Sequence, residues 1–240
     1  MKPISLLQVS QFIAKNADVP RRFECKAKDG EATIYVYDII GGAWGGVDAQ
    51  DFAQQLAALD VETINLRVNS PGGDVFAARA MMLALRQHPA EIVAHIDGIA
   101  ASAATSLVMA ADKVQMARGG RFMIHEAWSI VVGNKTDMSE TAKLLEGLDE
   151  EIVSDYVGRT GADPKQLAAW MQAETWFNAD QAKEAGFVDE VIETTNTTDN
   201  RWNLAAYANA PAELTEPPRP AAYDMAAMER RVSLLLRTAA

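Results

Sequence analysis

Three times between Ala32 and Ala111 a short run of β-branched and aliphatic residues gives way, through glycine or another turn-forming residue, to a stretch with helical spacing. Ala32 to Ile40 reads as the first strand, ended by Gly41, Gly42, Gly45 and Gly46. Asp48 then caps a helix running to about Leu59, with Phe52, Leu56 and Leu59 on one face. A second strand, Thr63 to Val68, meets Asn69-Ser70-Pro71-Gly72-Gly73 before a helix that starts near Asp74 and ends around His88-Pro89. A third, Ile92 to Ile96, runs through Gly98 into small residues and another helix. Parallel strands need a crossover connection and a helix supplies it, so this alternation predicts an α/β domain with a largely parallel sheet.

Downstream, Lys113 to Met116 and Arg121 to His125 read as short strands, followed by a long helix from about Asp137 to Thr160. Asp137 with Glu140 reads as its capping box, and Leu145, Leu148, Ile152 and Tyr156 form its apolar stripe. Gly161 stops it, Asp163-Pro164 opens the next helix, Asn178 with Gln181 caps a third that ends at Gly186, and Val188 to Ile192 is a last strand. After Glu193 the composition turns polar and then Pro-rich, with Pro211, Pro217, Pro218 and Pro220, the mark of a linker. Met225 to Thr238 has the spacing of a short amphipathic helix. The expected division is an N-terminal extension (1–30), one α/β domain (31–193), and a linker with a Pro-containing tail (194–240).

Charge and cysteine usage exclude several functions. A formal net charge of −11 opposes a phosphate backbone and an anionic lipid surface, so no nucleic-acid or membrane partner is expected. Cys25 is the single cysteine, which rules out an internal disulfide, and no Cys/His spacing suggests a zinc site. Polar residues interrupt the first twenty positions and every apolar run, so neither an export signal nor a membrane span is expected, and a cytoplasmic location fits.

Three histidines make the search for a general base short. His88 sits at a predicted helix C-terminus, where the dipole favours it without any function, and His95 lies within a strand as a satisfied, half-buried group. His125 ends a strand beside a loop, where sites gather. Ser102 lies in Gly98-Ile99-Ala100-Ala101-Ser102-Ala103-Ala104, small residues at a strand-to-helix junction where backbone approaches a ligand closely. A serine there is ordinarily an N-cap, but the position also suits a nucleophile, with the Ala103 N–H ready for an oxyanion. The Ser70-Pro71-Gly72-Gly73-Asp74 turn is either an ordinary βα turn or the source of a second N–H for that oxygen; it matches no phosphate-binding glycine pattern. The G-x-S-x-G elbow of α/β-hydrolases is absent around Ser102.

Asn69-Ser70-Pro71-Gly72-Gly73, Gly98-x-Ala100-Ala101-Ser102, Met123-Ile124-His125 and Ala179-x-x-Ala182-x-x-x-Gly186-x-Val188-Asp189 occur in the order found in the Clp protease proteolytic-subunit (ClpP) family, which the chain resembles from roughly Glu31 to Val191. The local flavour is most similar to the phage branch of head maturation proteases. The resemblance implies a ClpP/crotonase-like αβ superhelix with a long handle helix, here Asp137 to Thr160. It implies Ser102 as nucleophile, His125 as general base and then acid, and the N–H groups of Gly73 and Ala103 as oxyanion donors. Glu174 falls where the family carries an orienting Asp, with Asp149, Asp155 and Asp180 as alternatives. No cofactor or metal is implied.

Implied partners are further copies of the chain in a ring and polypeptide substrates, specifically scaffold or capsid precursors. Residues 1–30 do not match the apolar segment with which the family docks an ATPase unfoldase, so ATP-independent cleavage is the expectation. Two other readings stay open: acyl-CoA hydratase/isomerase chemistry on the same superhelix, and a catalytically silent capsid-assembly protein.

Overall fold

The computed structural model describes Phe12, Ala14, Asn16, Val19 and residues 22–193, 202–204 and 206–215. Strands β1 (Arg22–Lys28) and β2 (Glu31–Tyr37) form an antiparallel hairpin. Its two-residue turn, Asp29-Gly30, has both φ angles positive (53° and 83°), the twist that suits a tight hairpin. Helix α1 (Ala49–Ala57) follows, capped by the Asp48 side chain as expected, and buries Phe52 and Leu56. Strand β3 (Thr63–Ser70), helix α2 (Val75–Gln87) and strand β4 (Glu91–Ala101) continue the alternation. Helix α3 (Ala104–Val108) is a single buried turn before β5 (Lys113–Ala117) and β6 (Arg121–Ile124).

Beyond these lie the long helix α4 (Lys135–Thr160), α5 (Pro164–Gln172), β7 (Thr175–Asn178), α6 (Ala179–Glu184) and β8 (Glu190–Ile192). The sheet order is β1-β2-β3-β4-β5-β8, parallel from β2 onward, so the predicted α/β class holds. Every second residue of β2 and β3 is buried, among them Ile34, Val36, Ile64, Leu66 and Val68, because alternate side chains point to opposite faces and one face carries the helices.

β4 is longer than its apolar run suggests, and its two halves have different partners. Val93 to Ile96 pair with β5, whereas Ile99 to Ala101 pair with β6, which in turn pairs antiparallel with β7. A second small layer thus branches from the end of β4.

α4 begins earlier than predicted: Asn134, not Asp137, is the N-cap, and Asp137 is the third residue of the capping box, returning its carboxylate to the Asn134 N–H at 2.8 Å. Leu148, Ile152 and Tyr156 of its stripe are buried, and Gly161 ends it at φ 67°. The Asn178/Gln181 capping box of α6 forms as expected. The first compact unit extends through Ala210, past the expected boundary at 193, and β1 joins the main sheet although it lies within the expected extension. A second unit, Pro211–Ala240, holds the short α7 (Ala212–Thr215) among its described residues; the helix expected over Met225 to Thr238 lies outside the described residues. No helix among the described residues is long and apolar enough to cross a membrane.

Phe187 links the layers. It stacks on Phe122 of β6 at 4.8 Å and meets Tyr156 of α4 edge-on at 5.5 Å, with no exposed surface. Phe187→Ala is expected to destabilise the fold by about 3 to 5 kcal/mol, because the hole is walled by rigid rings that cannot collapse into it. Urea unfolding of the two chains measures this directly.

Candidate active site

Pairing of β4 with β6 sets Ala101 opposite Met123, so the residues just beyond, Ser102 and His125, leave the sheet side by side. The Ser102 N–H donates to the Met123 carbonyl at 2.9 Å, which pins the serine backbone to β6. Ser102 adopts φ 53°, a conformation that most residues with a Cβ avoid and that turns its side chain away from the following helix. His125 Nε2 lies 2.7 Å from Ser102 Oγ. The ordinary N-cap role is absent: the helix carries no side-chain cap, and Thr105 N–H and Oγ1–H both bond the Ser102 carbonyl instead. An imidazole nitrogen at that range is placed to take the hydroxyl proton.

The Gly72-Gly73 turn passes directly over this pair. A Cβ at Gly72 would stand 2.6 Å from the Ala101 carbonyl oxygen and 2.8 Å from Ser102 Cβ, and one at Gly73 would stand 2.0 Å from the Ile40 carbonyl oxygen. Both glycines have positive φ, 93° and 148°. Backbone bonds run from Ile40 N–H to the Gly72 carbonyl and from Asp74 N–H to the Ile40 carbonyl, which bypasses the N–H of Gly73. Ala103 N–H sits at a helix start, where no intrahelical carbonyl is in register to receive it. The two amides expected to serve an oxyanion therefore flank Ser102 with neither committed to the sheet or helix pattern.

A cleft of about 330 Å³ opens on Ser102, His125 and Gly73. Its walls are mostly apolar, with Trp44, Phe76, Trp128, Ile130, Leu144 and Leu148 beside Asp74 and Ser129. Trp44 and Trp128 meet edge-on at 6.0 Å. Among the described residues, no group of three or more His, Cys, Asp or Glu is placed to hold a metal ion.

Glu174 is where the structure departs from the expected triad. Its carboxylate accepts the Ala208 N–H at 2.9 Å, the Asn209 N–H at 2.6 Å and the Trp176 indole N–H at 3.3 Å, and it is buried. A carboxylate taken out of water needs donors, and three neutral ones from a packed segment satisfy it fully. His125 Nδ1 is left without a hydrogen-bond partner, and burial alone depresses the imidazole to about 4. The alternatives do not replace it. Asp149 accepts the Ala127 N–H at 2.7 Å and is pushed up to about 6, chiefly by burial; Asp155 pairs with Arg79 and Arg86, and Asp180 with Arg118.

The other two histidines are structural, as expected. His95 Nε2 bonds Asn65 Oδ1 at 3.0 Å, and His88 Nδ1 accepts the Ala90 N–H at 3.1 Å. One neighbour of the site had no signature in the sequence: the ring of Tyr207, within the stretch read as linker, stands edge-on to the His125 ring at 5.5 Å and its hydroxyl donates to the Pro71 carbonyl.

Residues 38–195 match the model of the Clp protease family. Among curated relatives, the ATP-dependent Clp protease proteolytic subunit 1 of Corynebacterium jeikeium is 31% identical over 150 residues, covering 60% of this chain and 80% of its own length. The subunit of the same name from Bacillus cereus is 31% identical over 187 residues, covering 70% and 94%. A solved structure of a ClpP1 mutant from Listeria monocytogenes superposes with a TM-score of 0.60 at 22% identity, covering 78% of this chain and 96% of that one, which supports the same fold.

Gly72→Ala is expected to push the turn off Ser102 and slow its reaction with a fluorophosphonate by at least about tenfold, the scale of a misplaced oxyanion donor. Gly161→Ala, at a helix end with nothing within 4 Å of the new methyl, should leave that rate unchanged and cost about 1 kcal/mol of stability. Comparing the two labelling rates separates close approach from backbone strain.

Proposed function

Because this chain belongs to the Clp protease family, we propose that it is a serine-type endopeptidase in which Ser102 is the nucleophile and His125 the general base. The observation that carries this reading is the 2.7 Å contact between Ser102 Oγ and His125 Nε2 beside two uncommitted amides. Ser102 Oγ attacks the scissile carbonyl while His125 takes its proton; the Gly73 and Ala103 N–H groups receive the oxyanion. The imidazolium then protonates the leaving amine, an acyl-enzyme on Ser102 remains, and water activated by the same imidazole releases the acid. The pair of amides also suits thioester chemistry, but enoyl hydration leaves a serine–imidazole contact without a role, and family membership favours peptide hydrolysis.

The substrates are polypeptides, and the working form is a ring of identical subunits. Exposed apolar residues gathered before and along the start of α4, Val132 at 91%, Met138 at 51% and Leu144 at 55%, support a partner surface there. The biological role in this reading is the processing of scaffold or capsid precursors during phage head maturation, without ATP. It is supported by the local likeness of the four motifs to that branch.

Fluorophosphonate treatment of the assembled wild type followed by peptide mapping should place one adduct on Ser102. Ser102→Ala should lose the adduct and all cleavage of an unfolded polypeptide or scaffold precursor in nucleotide-free buffer, yet keep the oligomer. A Ser102→Ala chain that still cleaves would sink the assignment.

The pH dependence follows from burial. Only neutral imidazole accepts a proton, and burial disfavours the charged form, so His125 stays neutral down to about pH 4. The acid limb of kcat/KM should therefore fall near pH 4, well below the ~6.5 of a solvated histidine. A half-maximum near 6.5 would mean a carboxylate or water reaches Nδ1 in the working enzyme.

A further inference from the structure

The stretch that includes Trp202, Asn203, Leu204, Tyr207, Ala208 and Asn209 crosses the back of the site and touches each of its parts. At one end the Trp202 indole N–H donates to the Asn69 carbonyl at 3.2 Å, and Asn203 is gripped through its backbone by the Asn16 side chain, at 2.7 and 3.1 Å. In the middle, the Tyr207 ring stands against His125 on one side and Trp176 on another, with centroids 5.5 and 5.8 Å away. Its hydroxyl bonds the Pro71 carbonyl, in the turn that carries Gly73. At the other end, the Ala208 and Asn209 N–H groups hold the Glu174 carboxylate, and Asn209 Nδ2 donates to the Ala173 carbonyl at 2.8 Å. Trp202, Leu204 and Tyr207 are all buried.

Proton counting shows what this contact does. A carbonyl only accepts, so the Tyr207 hydroxyl spends its hydrogen on Pro71, which fixes the ring against His125. His125 Nδ1 has neither donor nor acceptor nearby, so no group holds a hydrogen there. A general base needs the tautomer with Nε2 bare and the Nδ1 hydrogen on a carboxylate. Glu174, two residues from β7's Trp176 and in a left-handed conformation at φ 49°, has that carboxylate, but the strap's amides have claimed it.

We propose that the stretch that includes Trp202, Leu204, Tyr207, Ala208 and Asn209 is a built-in latch on the site: Tyr207 stands against His125 while the neighbouring amides keep Glu174 from it, so that Nδ1 rests without a carboxylate. Displacing the strap releases Glu174 to take the Nδ1 hydrogen and turns the dyad into a working triad. The proposal rests on the serine-peptidase reading for its consequence, and on hydrogen-bond geometry for the latch itself.

The test uses the full chain and two readouts. Imidazole ¹⁵N NMR reports the tautomer and titration of His125; fluorophosphonate labelling reports the reactivity of Ser102. In wild type, His125 should carry its hydrogen on Nε2. Tyr207→Ala should move the hydrogen to Nδ1, raise the titration midpoint towards neutrality, and speed labelling by at least about tenfold, the smaller end of what an orienting acid supplies. Adding Glu174→Gln to Tyr207→Ala should reverse all three changes. Should the Tyr207 variant fail to fold, Trp202→Ala, which frees the far end of the strap without touching Ser102, His125 or Glu174, carries the same expectations. An unchanged tautomer, or a shift indifferent to Glu174, overturns the latch. A Glu174-dependent tautomer shift with no labelling of Ser102 in any variant upholds the latch and overturns the peptidase reading instead.

Discussion

The whole site depends on one stretch of strand pairing, the three residues at the end of β4 against the start of β6. Parallel register there puts Ser102 and His125 on neighbouring chain ends, and the bond from Ser102 N–H to the Met123 carbonyl locks the offset. A slip of β6 by one residue would turn its side chains to the opposite face and part His125 from Ser102, so the register is held by burial as well as by hydrogen bonds. Phe122 and Met123, wholly buried, and the packing of Phe122 on Phe177 and Phe187 supply that burial. The aromatic layer that looks merely structural is thus what keeps a hydroxyl 2.7 Å from an imidazole.

Backbone compression around the serine is the second constraint. Ser102 at φ 53° and Gly72 at φ 93° meet so closely that no side chain fits at position 72. Strain of this kind, of order 1–3 kcal/mol per residue, persists only where surroundings over-determine it. Here the surroundings are β3 and β4, two long buried strands whose ends carry the two turns. The cleft beside them, with its paired tryptophans, adds a mostly apolar surface next to Ser102 and His125.

Electrostatics at the site are set by exclusion of water rather than by charge pairing. His125 is buried, its depressed titration comes from burial alone, and the buried Glu174 carboxylate is occupied by neutral amide and indole donors. A neutral imidazole is the right charge state for a base, while its tautomer and orientation depend on what faces Nδ1. In this arrangement Nδ1 has no partner, the Tyr207 ring stands edge-on to the imidazole, and Glu174 instead anchors a stretch from the C-terminal side.

Much of this was written in local sequence. The strand–turn–helix alternation, the caps at Asp48, Asp163 and Asn178, the stop at Gly161 and the small residues around Ser102 are short-range signals, set by backbone sterics and by hydrogen bonds within a few residues. His125 stood out as one of three histidines, at a strand's end beside a loop, and Ser102 by its row of small neighbours at a strand-to-helix junction. Asp29-Gly30 was an equally local hairpin signal that the composition of the preceding run obscured, and Asn134 outcompeted Asp137 as a cap because its side chain meets the first free N–H groups one turn earlier. The fate of Glu174 had no such local signature. Which donors a buried carboxylate finds, and which ring stands against an imidazole, depends on a segment 33 residues further along the chain from Glu174 to Tyr207, brought back by burial of Trp202 and Tyr207. Sequence alone determined the elements and singled out Ser102 and His125, because those follow from neighbours in the chain; only the tertiary structure decided what the histidine and Glu174 meet, because that is a competition among distant groups for the same few hydrogen bonds.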